Sequence, residues 1–180
     1  MNKDYLFQSD RLGFRFFSDM DSDTFYKINS NKEVMRYFPS VLTWEQSDSL
    51  MIKINYHIEK HGFGFYAVDH LQDKKFIGFI GLKNTAFEAE FTPCVEIGWR
   101  LDAEYWNQGL ATEGAKRCLD LAFNDLGLDE IYSFTSIINK TSERIMQKIG
   151  MIKIEEFDHP ALGKDHALQA HCLYKITKRS

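Results

Sequence analysis

The segment from Glu96 to Gly114 carries the residues whose types and spacing are best suited to chemistry. It reads as an apolar strand, a short polar turn with one glycine, Gly109, and the start of an amphipathic helix. The first N–H groups of a helix lack partners within it, and the helix dipole makes that end positive. The junction therefore predicts a phosphate site, and the alternative is an ordinary strand–helix connection.

Two well-known phosphate-binding motifs are absent from this turn. No Lys followed by Ser or Thr comes after Gly109, as the loop of nucleoside triphosphatases requires. The turn has only one glycine, so it does not match the dinucleotide-binding fingerprint either.

Glu96 is the best candidate for a general base. It shares one face of the predicted strand with Gly98 and Arg100, and the opposite face is formed by Val95, Ile97, Trp99 and Leu101. A partly desolvated carboxylate has a raised pKa and could take a proton from an amine. The alternative is a structural ion pair with a neighbouring Arg. Glu155 and Glu156 are a second choice, and they also fit a solvated pair.

The rest of the chain supplies the elements that position this segment. Thr43 and Gln46 form a capping box before one helix, and Gly62 ends it. Apolar periodicity predicts helices over 21–29, 44–61, 109–126 and 141–149. Strands are predicted over 11–17, 64–69, 76–82, 95–101, 131–138, 152–157 and 169–177. This order indicates an α/β or α+β sheet with helices on its faces.

The composition excludes several classes of protein. The 180 residues are 44% hydrophobic and 27% charged, which is typical of one globular domain over 1–180. A net charge of −4 without a basic block disfavours nucleic acid as a partner. We expect no membrane partner, because there is neither a secretory signal nor an apolar run long enough to span a bilayer. Three widely spaced cysteines favour a reduced, cytoplasmic location.

Several segments together resemble the GNAT superfamily of acetyl-coenzyme A-dependent N-acetyltransferases. Trp106–Glu113 is similar to its pyrophosphate loop, and 139–142 followed by 148–151 is similar to the helix that completes its coenzyme site. Segments 9–15 and 31–39 resemble the branch that acetylates ribosomal-protein N-termini, the RimJ/RimL type. The resemblance implies a single three-layer α+β domain. Its central sheet would be mixed, mostly antiparallel and strongly twisted, with about six to seven strands flanked by helices.

The resemblance also implies a role for particular residues. The strand containing Trp99, Arg100 and Leu101 would polarise the thioester carbonyl through a main-chain N–H. Asn139 and Ser142 would contact the pantetheine arm and thiol, although both residue types are also common helix caps. Arg144 and Lys148 would reach the ribose phosphate, or are solvated helix charges. The pyrophosphate would be held by Asn107, Gln108, Gly109, Leu110, Ala111 and Thr112.

The chain departs from the family pattern at two positions. Trp106 stands where many members have Gln or Arg, and Met146 stands where many have a tyrosine general acid. Tyr174 could supply the missing proton, which makes Glu96, Ser142 and Tyr174 the candidate catalytic set; core packing is the alternative for Tyr174. His159 could line the acceptor pocket, or lie in an ordinary turn. We expect no metal, because the histidine spacings match no usual zinc pattern.

The leading hypothesis is transfer of acetyl from acetyl-coenzyme A to a small-molecule or peptide amine, by direct attack in a ternary complex. The alternative is a non-catalytic sensor of coenzyme A or acyl-coenzyme A on the same fold. A flavodoxin-like nucleotide domain is disfavoured, because strands and helices alternate too incompletely early in the chain. The chain is expected to be a monomer or a homodimer.

Overall fold

The computed structural model describes residues 5–178, which form one eight-stranded sheet and four α-helices. The strands are β1 (Phe7–Gln8), β2 (Leu12–Arg15), β3 (Phe65–His70), β4 (Lys75–Thr85), β5 (Cys94–Leu101), β6 (Glu130–Ser136), β7 (Ile152–Asp158) and β8 (Ala170–Thr177). The helices are α1 (Ser22–Ser30), α2 (Trp44–His61), α3 (Leu110–Asp120) and α4 (Lys140–Lys148).

The sheet is mixed, and its one parallel junction is its weakest. The strand order is β1-β2-β3-β4-β5-β6-β8-β7, and every neighbouring pair is antiparallel except β5 and β6. Those two strands share a single register pair, Glu96 with Tyr132, whereas β4 and β5 pair along eight positions. The sheet therefore opens between β5 and β6 into a cleft.

Helices cover both faces of the sheet. On one face, Phe25 of α1 packs against Phe79 of β4, with ring centroids 6.2 Å apart. On the other face, α3 packs so closely that a Cβ added to Gly114 would lie 2.4 Å from Ile80 of β4. The predicted strand over 76–82 is confirmed in β4, and these residues are buried throughout, as in a strand covered on both sides.

The helix signals in the sequence are confirmed at α2. Thr43 and Gln46 form the reciprocal capping box, and Gly62 ends the helix in the left-handed conformation at φ 77°. The predicted helix over 109–126 is α-helical only as far as Asp120. It continues as a π-helical stretch, Leu121–Asp125.

The predicted number of strands, about six to seven, is wrong, because the sheet has eight. The additional strand is β1, which has only two residues and pairs with β2 through Phe7 to Phe14 and Gln8 to Gly13. Two residues are too few for an alternating pattern to be recognised in a sequence.

A buried ion cluster fixes the N-terminal half of the sheet to the start of α1. Arg15 on β2 donates two hydrogen bonds to Asp21 and two to Asp69, at 2.6–3.0 Å. Within residues 5–178 no helix is both long enough and apolar enough to cross a membrane.

Candidate functional site

The N-terminus of α3 presents a row of main-chain N–H groups. Gly109 is the N-cap residue in the left-handed conformation, at φ 79°, and no side chain caps the helix. Among residues 5–178, the N–H groups of 108–112 donate no hydrogen bond, and the first helical bond runs from Glu113 N to Gly109 O. These amides lie at the positive end of the helix and can hold a phosphate.

The turn before α3 is held so that its side chains leave this end open. Trp106 Nε1 donates to Leu101 O at 2.9 Å, and Gln108 Nε2 donates to Glu104 O at 3.0 Å. Asn107 adopts φ 60° and is exposed, as are Gln108 and Gly109. The side chain of Trp106 thus supports the turn structurally.

An ionic brace, made of Ser9, Arg11 and Glu113, joins the β1–β2 turn to α3. Glu113 Oε1 accepts from Ser9 Oγ at 2.7 Å and from Arg11 N at 2.8 Å, and its Oε2 accepts from Arg11 Nε at 2.7 Å. Arg11 Nη1 also donates to Gln108 O at 3.1 Å. Burial raises the pKa of Glu113, but the hydrogen bonds from Ser9 and Arg11 outweigh it and leave the pKa lowered. No local pattern in the sequence predicts this brace, because Glu113 lies about 100 residues from Ser9 and Arg11.

The cleft between β5 and β6 is bridged once by a side chain. Ser133 Oγ on β6 donates to Ile97 O at 2.9 Å. Since the N–H and C=O of a strand residue point to the same side, the N–H groups of Trp99 and Leu101 also face the cleft. The N–H of Arg100 faces β4, so of these three predicted residues only two direct a main-chain donor into the cleft.

The start of α4 lines the other side of the cleft. Asn139 Oδ1 accepts from Ser142 N at 3.3 Å, and its Nδ2 donates to Thr135 Oγ1 at 2.9 Å and Ser142 Oγ at 3.0 Å. The prediction that Asn139 caps the helix is therefore confirmed, and both amide hydrogens are used. The Ser142 hydroxyl accepts one of these bonds and has its own hydrogen available for a ligand.

Four further positions singled out in the sequence lie on or beside α4. Arg144 and Lys148 are exposed and form no ion pair among the described residues. Met146 is buried in the core, 1% exposed. The Tyr174 hydroxyl donates to Glu143 at 3.0 Å and accepts from Gln147 at 3.2 Å. Burial and the Glu143 carboxylate raise the pKa of Tyr174, so this side chain is a weaker acid than an ordinary exposed tyrosine.

Glu96 lies on the α1–α2 face of β5, as the alternation predicted. Its side chain is 14% exposed, its Oε1 is 3.8 Å from Lys83 Nζ, and its Oε2 is buried without a hydrogen-bond partner. Burial raises the pKa of Glu96 despite the nearby ammonium group of Lys83. The raised pKa and the unpartnered oxygen fit the role of a general base better than they fit a structural ion pair.

Arg100 lies on the same face, two pleats further along β5. Its guanidinium packs over the rings of Phe38 and Phe79, at 4.1 and 5.2 Å, and Nη1 donates to Asn29 Oδ1 at 2.7 Å. The side chain therefore points towards α1 and away from the α3 amides.

An aromatic patch covers the same face beyond the cleft. Two histidines, His159 and His171, lie in it with ring centroids 5.0 Å apart, and burial lowers the pKa of both. The phenylalanines of the patch are Phe87, Phe91, Phe134 and Phe157. Within residues 5–178 there is no group of three or more ligating side chains that could hold a metal ion.

Comparisons with known proteins agree with this geometry. The sequence model of a family described as "Acetyltransferase (GNAT) domain" matches residues 11–152. A relative named as the uncharacterized N-acetyltransferase YoaA of Bacillus subtilis is 28% identical over 151 residues, which are 82% of this chain and 83% of the relative.

Solved structures share the fold over nearly the whole chain. An acetyltransferase of the GNAT family from Bacillus anthracis superposes with a TM-score of 0.77 at 25% identity, covering 94% of this chain and 96% of that one. The spermidine N-acetyltransferase of Vibrio cholerae, in complex with CoA and spermine, gives a TM-score of 0.73 at 20% identity, covering 93% and 95%.

Proposed function

The chain belongs to the GNAT acetyltransferase family, and on that premise we propose that it transfers an acetyl group from acetyl-coenzyme A to a primary amine by direct attack in a ternary complex. The observation that carries the proposal is the row of unpartnered amides of 108–112 at the head of α3. A diphosphate would accept hydrogen bonds from fixed dipoles there, without any rearrangement of the chain. Glu96 lies on β5 at the register pair that joins it to β6.

The cleft residues would orient the thioester, which supplies an activated acyl group. The N–H groups of Trp99 and Leu101 face the cleft and could polarise the carbonyl oxygen. Ser142 has a hydroxyl hydrogen free to donate to the departing sulfur. Arg144 and Lys148 are available to the ribose phosphate. Holding both reactants in one cleft replaces a bimolecular encounter with a reaction inside one complex. This proximity would account for a large part of the rate enhancement.

Glu96 would take the proton from the attacking amine, directly or through a water molecule. Its raised pKa makes it a stronger base than an exposed carboxylate, because the charged form is poorly solvated. Ser142 would stabilise the thiolate by a hydrogen bond and solvent would protonate it, since the hydroxyl hydrogen of Tyr174 is donated to Glu143.

The acceptor is a matter for experiment. The neighbour from Vibrio cholerae is named for spermidine, and the resemblance to the RimJ/RimL branch favours a peptide α-amine instead. We propose a screen of polyamines, amino sugars and peptide amines with acetyl-coenzyme A, monitoring release of free thiol. A catalyst would show steady turnover with at least one amine. A non-catalytic sensor would bind the coenzyme and turn over with none.

The Gly109→Glu variant tests the assignment of the phosphate site. A carboxylate at this position repels a diphosphate and fills its cradle, so we expect coenzyme affinity to fall about 100-fold, equivalent to about 2.7 kcal/mol. Gly62→Glu is the matched control, because Gly62 has φ 77° against 79° for Gly109; an added Cβ meets nothing within 4 Å at Gly62 and only Arg11 Nη2, at 3.7 Å, at Gly109. The control carries the same backbone strain far from the cleft. Normal coenzyme binding by Gly109→Glu would refute the assignment.

A further inference from the structure

Arg100 is a buried cation without a buried anion to match it. It is 9% exposed and, among residues 5–178, donates only one hydrogen bond, to the neutral side chain of Asn29. Its Nε is buried without a partner. Burial lowers the pKa of Arg100, but only to about 10, so the group stays charged at neutral pH. A charge in this position is costly unless something compensates it.

The guanidinium borders an open cavity in the described part of the chain. This cavity has a volume of about 570 Å³ and lies between the segment after α1, the first turns of α2 and β5. Its lining includes one acid, Glu45, whose carboxylate accepts from Thr43 Oγ1 at 2.8 Å instead of pairing with Arg100. Lys53 adds a second cation, so the lining carries more positive than negative charge.

The guanidinium is held in place before any ligand arrives. Asn29 is fully buried and is itself fixed, because its Nδ2 donates to Ser47 Oγ on α2 at 2.9 Å. Phe38 and Phe79 stack on the guanidinium. Such a fixed planar donor fits a carboxylate well, since the two groups can form parallel hydrogen bonds.

Arg100 and Glu96 belong to the same side of the sheet. They are four residues apart on β5, which corresponds to about 13 Å at roughly 3.3 Å per residue. We propose that the Arg100 cavity binds a carboxylate of the acyl acceptor while the amine lies at Glu96. The inference rests on the proposed function. It narrows the acceptor to molecules whose amine and carboxylate are on the order of 10 Å apart. An extended tripeptide has about this length.

The test compares triglycine with triglycinamide as acceptors. The two probes differ only in the terminal charge. We expect kcat/KM to be at least about tenfold higher for triglycine than for triglycinamide, because its carboxylate would form a buried, charged hydrogen bond with Arg100. Glycine and longer oligoglycines should be poorer acceptors than triglycine. The preference for the carboxylate is the ratio of these two kcat/KM values, and in Arg100→Met it should fall to about one.

Two control variants separate the site from general effects. Lys53→Met removes an exposed cation of the same cavity and should leave the preference within about threefold. Glu45→Gln removes the one acid of the lining and should keep or raise the preference, because a negative charge beside the site is lost; a fall in the preference of this variant would overturn the proposal. An equal preference in the wild type and in Arg100→Met would also overturn it.

A binding measurement keeps this inference separate from the proposed function. Triglycine should raise the midpoint of thermal unfolding of the wild type but not of Arg100→Met, whether or not turnover occurs. Arg100→Met itself should change the unfolding temperature little, because removal of a poorly compensated buried charge offsets loss of the hydrogen bond to Asn29 Oδ1. No shift with triglycine would refute the carboxylate site. Activation of triglycinamide acetylation by added glutarate would show a separate effector site, and would refute the acceptor assignment.

Discussion

At the scale of single residues, the central question is the state of Glu96. The carboxylate is buried with one oxygen unpartnered, and its pKa is raised. A base must be deprotonated to work, so activity should fall as the pH drops through this raised pKa. The unfolded carboxyl has the ordinary value of 4.5. The folded state therefore binds the proton more tightly than the unfolded state does. As the pH rises from the unfolded to the folded pKa of Glu96, ionisation of this carboxyl lowers the free energy of unfolding.

We predict that Glu96→Gln lowers kcat by about 10²- to 10⁴-fold, the usual contribution of a general base. The acidic limb of the pH profile for kcat/KM should disappear in this variant. Measurement of turnover against pH with the best acceptor from the screen checks both points. Stability at neutral pH should be unchanged or higher, because a poorly solvated charge is removed.

Glu155→Gln is the control for this prediction. Glu155 lies on β7 and is exposed, and it was the second choice for the base in the sequence analysis. Its replacement should leave the pH profile intact. If Glu96→Gln kept the wild-type acidic limb, another group would be the base.

At the scale of elements, the brace of Ser9, Arg11 and Glu113 sets the position of α3. Glu113 accepts three hydrogen bonds from the β1–β2 turn, and Arg11 continues to the carbonyl of Gln108. The amides that would hold the diphosphate are thereby fixed to the edge of the sheet. Their geometry depends on residues about 100 positions away in the chain.

We predict that Glu113→Ala lowers the free energy of unfolding by about 1–3 kcal/mol, since it leaves partly buried donors without acceptors. It should also raise KM for acetyl-coenzyme A several-fold with little change in kcat. The folded pKa of Glu113 is lowered, so its contribution to stability is present above the ordinary value of 4.5 and is lost as the pH falls through the folded pKa. Denaturant unfolding at several pH values measures this.

Asp120→Ala on the same helix is the matched control. Asp120 pairs with Arg117 at 2.9 Å, but its side chain is 57% exposed. An exposed pair contributes about 0–1 kcal/mol, so this variant should show little loss. Equal losses in the two variants would mean that the brace has no special role in positioning α3.

At the scale of the whole molecule, the sheet is two paired halves joined at one weak junction. Strands β1 to β5 pair antiparallel in series, and so do β6, β8 and β7. Among residues 5–178, the strands β5 and β6 share one register pair and one side-chain hydrogen bond, from Ser133 Oγ to Ile97 O. A ligand that fills the junction should bind both halves and stabilise the fold as a unit.

We predict that free coenzyme A at 100 times its Kd raises the free energy of unfolding by about 2.7 kcal/mol. Amide hydrogen exchange should slow at 107–112 and along the facing edges of β5 and β6, and change little in β2 and β3. Gly109→Glu should lose both effects. Protection confined to the aromatic patch or to the Arg100 cavity would place the coenzyme elsewhere.

The sequence by itself determined the local features of this protein. The cap at Thr43, the stop at Gly62 and the alternation around Glu96 are interactions between residues a few positions apart, so their patterns are visible in the chain. The turn at Gly109 and the uncapped N-terminus of α3 are also local features, formed by residues a few positions apart. The tertiary structure decided the rest. The brace from Arg11 to Glu113, the pairing of two-residue β1 and the direction of the Arg100 side chain towards Asn29 depend on contacts between distant segments. No periodicity records such contacts, because they exist only once the sheet and helices have packed.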